Sequence, residues 1–223
     1  CIAQLHLDPD QGKLTTGLRV PRESVLLSRP VNGVPCRCRT SQETTIWPVS
    51  VANAEWKTPE RLTPQVKAAD SVAACRIELR GFPDVTFEKL GLENLRVYLS
   101  GEGEIPYALH ELLLNSTQQV LVRDLDPKTK RAPVVLPASV VTAGGFGEDE
   151  ALLPYPRRSF RGYRLMQEYF AFPQKFLFLD IGGFEAVRAA GFGRTIEIIF
   201  LISSFERFER PYMLESGVNR DSF

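Results

Sequence analysis

Side chains suited to acid–base or nucleophilic chemistry are scattered in this sequence. It has 27 aspartate and glutamate residues but two histidines, His6 and His110, and it has no Gly-x-Ser-x-Gly motif to present a serine nucleophile. Glu168 is the best candidate for a general acid, because it lies in an aromatic stretch that could bury it. We favour a structural ion pair with Arg164, four residues earlier on the same helical face. His110 lies in a leucine-rich segment and is expected to be a hydrogen-bonded partner within the fold.

The four cysteines are candidates for metal binding or for thiol chemistry. Cys36 and Cys38 are separated by one residue in "PCRCRT", so on a strand both thiols face the same side. A structural zinc site needs four ligands with a different spacing, and we therefore expect reduced thiols and no metal site. Arg37 and Arg39 project from the opposite face of such a strand, where they do not activate the thiols. Four cysteines do not by themselves exclude two disulfides.

The glycine-rich segment "AGGFGED" is the closest approach to a phosphate-binding loop. Such a loop needs a preceding strand and a following helix N-terminus. The acidic run from Glu148 to Glu150 would repel a phosphate group. We therefore interpret this segment as a turn and expect no nucleotide or other cofactor.

Charge and hydropathy exclude further classes of protein. Lysine and arginine total 27, as do aspartate and glutamate, so no overall field attracts nucleic acid or acidic membranes. The longest apolar run, "TIEIIFLISS", is too short to span a bilayer and contains Glu197. We expect a globular protein without a transmembrane segment.

Strand patterns dominate the elements that must position these side chains. Short alternating or β-branched runs occur at "CIAQLHL", "GLRVPRESVLLSR", "PCRCRTSQETTIWPVSVANAEW", "VAACRIELRGF", Leu95–Leu99, "QQVLVRD", "PVVLPASVVTAGG", "KFLFLDIGGF" and "TIEIIFLIS". Helical spacing is found over Glu104–Leu114 and in a second helix that begins at Ser159. The segment Lys57–Ser71, with two prolines and many charges, predicts an exposed loop.

The predicted fold class is α+β and β-rich, with sandwich or barrel-like strands and a few short helices. We divide the chain into a β-rich region, residues 1–150, with one short helix, and an aromatic helix–strand region, residues 151–223. The second region is a candidate subdomain packed on the first.

The segment "LLPYPRRSFRGYRLMQEYFAFPQKFLFLDI" concentrates aromatic and basic residues. Its helix, stopped by Pro173, carries two apolar rows, Tyr163, Met166 and Phe170 on one and Leu165, Tyr169 and Phe172 on the other. Apolar groups so distributed predict a helix that is covered on several sides, followed by a buried strand. Cations are disfavoured at a helix start, so Arg157, Arg158, Arg161 and Arg164 are expected to have carboxylate partners, in part in another subunit.

The same segment resembles the signature of the TssF family (ImpG/VasA) of type VI secretion baseplate subunits. The proposed structural and interaction motif consists of Pro156, Arg157, Arg158, Ser159, Phe160, Gly162, Tyr163, Leu165, Gln167, Glu168, Tyr169, Phe170, Phe172, Pro173 and Phe176. The segments "PCRCRTSQETTIWPVSVANAEW" and "LRVYLSGEGEIPYALHELLLN" are also similar to parts of that family. Family members are longer at both ends, so with Cys1 in place of a methionine we expect an internal fragment.

The resemblance implies a structural role without catalysis. Family members are components of the cytoplasmic baseplate wedge, the platform on which the contractile tail assembles. The implied partners are TssG, TssK and TssE, with two TssF copies contacting one TssG. The implied location is the cytoplasmic baseplate associated with the inner membrane, with membrane contact only through the complex.

The rival interpretation is a carbohydrate-binding or carbohydrate-active β-sandwich domain. Its motivation is the number of strands and aromatic residues. It requires a solvent-exposed aromatic platform, for which Trp47, Trp56 and Tyr155 are the candidates.

Overall fold

The strands and helices of this chain form an α+β fold that is rich in β-structure. A computed structural model describes residues 1–8, 16–66, 70–126, 131–156, 158–203 and 210–223. The strands are β1 (Leu18–Val20), β2 (Val25–Leu27), β3 (Arg37–Arg39), β4 (Thr44–Ile46), β5 (Val49–Lys57), β6 (Ala73–Gly81), β7 (Leu95–Tyr98), β8 (Thr117–Asp124), β9 (Val134–Pro137), β10 (Val141–Ala143), β11 (Phe178–Ile181) and β12 (Thr195–Ile202). The α-helices are α1 (Ile105–Asn115), α2 (Arg161–Ala171), α3 (Phe184–Ala189) and α4 (Arg210–Gly217).

A five-stranded antiparallel sheet in the order β5-β6-β12-β8-β9 is the largest element. Its middle strand, β12, is almost entirely apolar, as expected for a strand that is buried on both faces. Ile196, Ile198 and Phe200 contribute to the main core, whereas Ile199 and Leu201 belong to a smaller cluster on the other face. We call that other face the back face of the central sheet.

A three-stranded antiparallel sheet in the order β10-β11-β7 shares the main core with the central sheet. Leu179 of β11 pairs with Val97 of β7, and both side chains are buried in that core. Leu109 and Leu113 bring one face of α1 into the same core. The predicted β-rich α+β class is confirmed, and within the described residues the sheets are open and none closes into a barrel. No helix in this part of the chain is long and apolar enough to cross a membrane.

Local patterns predicted most elements but not all of them. The helix expected over Glu104–Leu114 is α1, whose observed bounds are shifted by one residue. α2 begins at Arg161, not at Ser159, and no side chain caps its N-terminus. The segment "CIAQLHL", expected to be a strand, is irregular in the described residues 1–8, and α3 and α4 were not predicted. α3 has only six residues between glycine-rich flanks, so its periodicity is too short to separate it from a turn.

The predicted exposed loop at Lys57–Ser71 is wrong for its middle part. Pro59–Arg61 forms a short 3₁₀-helix, and the side chain of Leu62 is only 1% exposed. Leu62 and Val66 pack on Ile199 and Leu201 and cover the back face of the central sheet. The prolines and charges predicted a loop, but they gave no indication that the apolar residues Leu62 and Val66 would pack against the sheet.

The division of the chain at residue 150 stays a prediction. β11 pairs with β7 and β10, and β12 lies between β6 and β8. Strands from both sides of residue 150 therefore share sheets, and a boundary there would not separate two independent sheets.

Candidate functional site

Helix α2 is oriented with Arg164 and Glu168 toward the protein and its aromatic residues toward solvent. Arg164 and Glu168 are buried, with 5% and 2% of their surface exposed. Phe170 is 80% exposed and Tyr163 is 63% exposed. The expectation that α2 is covered on several sides is therefore wrong for the residues that the structure describes.

A buried ion cluster explains this orientation. The Glu168 carboxylate pairs with the Lys175 ammonium, and its Oε2 lies 3.9 Å from Arg164 Nε. Its Oε1 accepts a hydrogen bond of 2.9 Å from the backbone N–H of Leu152. The predicted pairing of Glu168 with Arg164 is confirmed, but the closer cation is Lys175. Sequence reasoning missed Lys175 because it lies beyond Pro173, where the helical spacing no longer applies.

Arg164 connects α2 to the glycine-rich loop at residues 144–151. Its guanidinium donates hydrogen bonds to the carbonyl oxygens of Phe146, Gly147 and Glu148 at 3.4, 3.0 and 3.4 Å. Three carbonyl acceptors and a nearby carboxylate lower the cost of burying this cation. The charged side of α2 is thus its anchor.

The amide groups of the glycine-rich loop bind a carboxylate of the chain itself. Glu150 Oε2 accepts hydrogen bonds from the N–H groups of Gly145 and Gly147 at 2.9 and 2.7 Å. Arg96 pairs with Glu150 and also binds Asp180 through two hydrogen bonds of 2.6 and 2.7 Å. Loop amides of this kind bind phosphate in other proteins, but here the carboxylate of Glu150 occupies them.

These contacts change the acidity of Glu150. Partial burial opposes ionisation, but hydrogen bonds from Gly147 and Gly145 and the charge of Arg96 outweigh it, so the pKa of Glu150 is lowered. A lowered carboxyl pKa contributes stability above the unfolded pKa of about 4.3 and loses it as pH falls through the folded value.

We predict that Glu150→Gln reduces the acid sensitivity of the fold. In urea titrations at a series of pH values, the wild-type protein should lose unfolding free energy faster below about pH 4.3 than the variant does. Asp221→Asn, at an exposed carboxyl, is the control and should leave the pH dependence unchanged. If the unfolding free energies of the wild type and of Glu150→Gln change equally with pH, the lowered pKa of Glu150 does not contribute to stability.

The exposed side of α2 forms an apolar surface. We call it the aromatic face, and it consists of Phe160, Tyr163, Met166, Tyr169 and Phe170. The rings of Phe160 and Tyr163 meet edge to face at 5.7 Å, and those of Tyr169 and Phe170 at 5.8 Å. An apolar cluster of this kind, opposite a buried polar anchor, is typical of a surface that another protein covers.

The predicted motif is divided between this surface and the interior. Its exposed members are Pro156, Arg158, Ser159, Phe160, Tyr163, Gln167, Tyr169 and Phe170, its half-buried members are Gly162, Leu165, Phe172 and Pro173, and its buried members are Glu168 and Phe176. Arg157 lies outside the described residues. The carboxylate partner expected for Arg161 lies within the chain, because Arg161 pairs with Glu148 at the surface.

A second buried ion cluster lies on the back face of the central sheet. Glu197 of β12 is fully buried, and its two carboxylate oxygens pair with Arg76 and Arg123 on the neighbouring strands. Arg76 also contacts Glu55 and Glu78 at 3.3 and 3.2 Å. The signal in the sequence was a single acid inside the longest apolar run, but its partners are distant in the chain.

The remaining candidates do not come together as a site. The Nε2 atom of His110 is buried without a hydrogen-bond partner among the described residues, and burial lowers the His110 pKa. All four cysteines are free, and burial raises the pKa of the Cys75 thiol. No group of three potential metal ligands occurs within the described ranges.

The carbohydrate interpretation does not fit the positions of the tryptophans. Trp56 is 3% exposed and belongs to the main core, and Trp47 is partly buried against it. Tyr155 is half-buried. The three side chains therefore do not form an exposed platform for a sugar.

Three comparisons with known proteins agree with one another. The family model described as "Type VI secretion system, TssF" matches residues 1–223. Type VI secretion system component TssF1 of Pseudomonas aeruginosa is 35% identical over 211 residues, which are 92% of this chain and 34% of that protein. A chain in the cryo-electron microscopy structure of a TssK-TssF-TssG baseplate subcomplex has a similar fold, with a TM-score of 0.73 and 24% identity over 94% of this chain and 36% of that one. The chain thus spans about a third of the length of the relatives that it matches.

Proposed function

Because the chain belongs to the TssF family of type VI secretion systems, we propose that it is a structural part of a baseplate subunit without an enzymatic role. In this role the central sheet is a rigid support that presents surfaces to other subunits. The subunit acts in the cytoplasmic wedge at the inner membrane, as the platform for contractile-tail assembly. Its partners are TssG and TssK, which accompany TssF in the similar baseplate subcomplex. TssE and a second TssF copy complete the proposed set of partners, as the resemblance to the family implies.

The aromatic face of α2 is the observation that supports this proposal. Exposed Tyr163 and Phe170 are residue types that interfaces bury at their centres, and the polar anchor on the opposite side keeps them in place. We assign the aromatic face to TssG, which accompanies TssF in the similar baseplate subcomplex. Cations beside the face would meet acidic groups of TssG. Arg158 and Arg161 are both exposed, and because Arg161 already pairs with Glu148, Arg158 is the cation that we assign to this contact.

We predict that Tyr163→Ser and Phe170→Ser in the full-length protein each weaken binding to TssG by at least about tenfold. Both side chains project into solvent, so the unfolding free energy should change by less than about 0.5 kcal/mol. The measurement is quantitative co-purification of each full-length variant with the TssG and TssK proteins of the same gene cluster.

Tyr212→Ser provides a matched control, because Tyr212 is an 81% exposed tyrosine on α4 and is not a member of the aromatic face. This variant should bind TssG as the wild type does. If Tyr163→Ser and Phe170→Ser also bind TssG normally, the aromatic face is not its docking surface.

A further inference from the structure

Residues 25–39 form a β-hairpin, which we call the arm, that projects from the fold. Strand β2 pairs with β3, and these two strands form a sheet of their own. Val31 and Val34 close the tip through backbone hydrogen bonds of 2.9 and 3.1 Å. Asn32 and Gly33 between them have φ of 52° and 82°, the positive values that a tight hairpin turn requires. Every residue from 27 to 39 is exposed.

The base of the arm is fixed to the body of the protein. Arg22 donates hydrogen bonds to the carbonyl oxygens of Asp149 and Ala151 at 3.2 and 3.1 Å. Those carbonyls belong to the loop that Arg164 of α2 also holds. The arm is therefore presented in a defined position, although a two-stranded hairpin has little stability of its own.

The outer edge of β3 has backbone groups available for another strand. In an antiparallel pair alternate residues bond across to the partner strand, and the N–H of Ser28 bonds the carbonyl of Cys36 at 2.9 Å. Arg37 and Arg39 lie one and three residues after Cys36, at the alternate positions of the strand, so their backbone N–H and C=O groups point away from β2. No other strand among the described residues pairs with this edge.

The charge and side-chain composition of the arm favour an acidic partner. Residues 27–39 contain three arginines and no acid, although the net charge of the whole chain is zero. Arg29, Arg37 and Arg39 make no ion pair with any residue that the structure describes. Across the pair, Arg39 lies opposite Val25 and Arg37 opposite Leu27, and Leu27 is 66% exposed. One face of the arm thus combines cations with aliphatic side chains.

We propose that the arm docks an extended acidic segment of another protein, which adds to β3 as a third strand. Carboxylates of that segment lie beside Arg37 and Arg39, on the face that also carries Val25 and Leu27. Its aliphatic residues alternate with the carboxylates and therefore lie on the opposite face, beside Cys38. A polynucleotide fits less well, because residues 25–39 have no aromatic side chain on which a base could stack. This inference concerns a surface separate from the aromatic face and does not depend on which subunit covers α2.

The test uses the full-length protein and a fluorescent ten-residue peptide of alternating glutamate and valine. Fluorescence anisotropy should show saturable binding that Arg37→Glu and Arg39→Glu each weaken by about fivefold or more. Arg29→Glu, with the same charge change outside the paired strands, should weaken binding by less than about twofold. Hydrogen exchange at the amides of Arg37 and Arg39 should slow when the peptide binds, because both N–H groups become bonded.

Three results would overturn the proposal. One is the absence of peptide binding at concentrations on the order of 1 mM. Another is equal binding of an alternating lysine–valine peptide. The third is tighter binding of single-stranded DNA, weakened to the same extent by all three arginine substitutions and abolished by salt, which would assign the arm to nucleic acid.

Discussion

Glu168→Ala is expected to lower the free energy of unfolding by about 3 to 5 kcal/mol, because it leaves buried cations without their carboxylate. The Lys175 ammonium loses its ion pair, and the Arg164 guanidinium loses the nearest negative charge. Both cations are at least nine-tenths buried, so water cannot replace the carboxylate without opening the structure. Urea-induced unfolding measures the change.

Two further variants separate this cause from a general effect of mutation. Glu148→Ala removes a carboxylate from an exposed pair and should cost less than about 1 kcal/mol. Glu168→Gln combined with Lys175→Met removes both members of the buried pair and should recover part of the loss. If Glu168→Ala is no more destabilising than Glu148→Ala, α2 is not anchored by its charged side.

Glu197→Ala should have an effect of similar size, about 3 to 5 kcal/mol, for the same physical reason. Glu197 is the fully buried centre of the back-face cluster and pairs with both Arg76 and Arg123. Its removal leaves two guanidinium groups on β6 and β8, the strands that flank β12. Among the described residues, the carboxylates of Glu55 and Glu78 then remain to offset the charge of Arg76. Chemical denaturation and thermal melting should both report the loss.

An exposed ion pair gives the matched comparison for Glu197. Glu215→Ala breaks the pair with Arg61, in which both side chains are about half exposed or more, and should change the unfolding free energy by less than about 1 kcal/mol. Equal effects of Glu197→Ala and Glu215→Ala would show that the back-face cluster carries no unusual share of stability.

The sequence pattern predicted those elements whose structure depends mainly on residues within one short segment. β12 and α1 were predicted because an apolar strand run and a leucine-rich helical face each require burial. The turn at Gly145 and Gly147 was also predicted, but not the side chain of Glu150 that binds its amides.

The orientation of α2 could not be predicted from its own residues. Periodicity assigns apolar side chains to the core, and in this helix the buried positions are Arg164 and Glu168. Their burial is stabilised by Lys175 and by carbonyl groups of the glycine-rich loop, which the spacing within α2 does not reveal. Leu62 is a second case, since only the fold places it on the back face of β12.

We propose that the polar anchor keeps the aromatic face of α2 exposed on the isolated protein and that a partner subunit covers this face in the baseplate. Hydroxyl-radical footprinting of the full-length protein, alone and bound to TssG, tests it most directly. We predict that Tyr163, Met166 and Phe170 react freely in the isolated protein and are protected when TssG binds, while Tyr212 stays reactive in both. Protection of these three side chains already in the isolated protein would contradict the claim, because the rest of the same polypeptide would then cover α2.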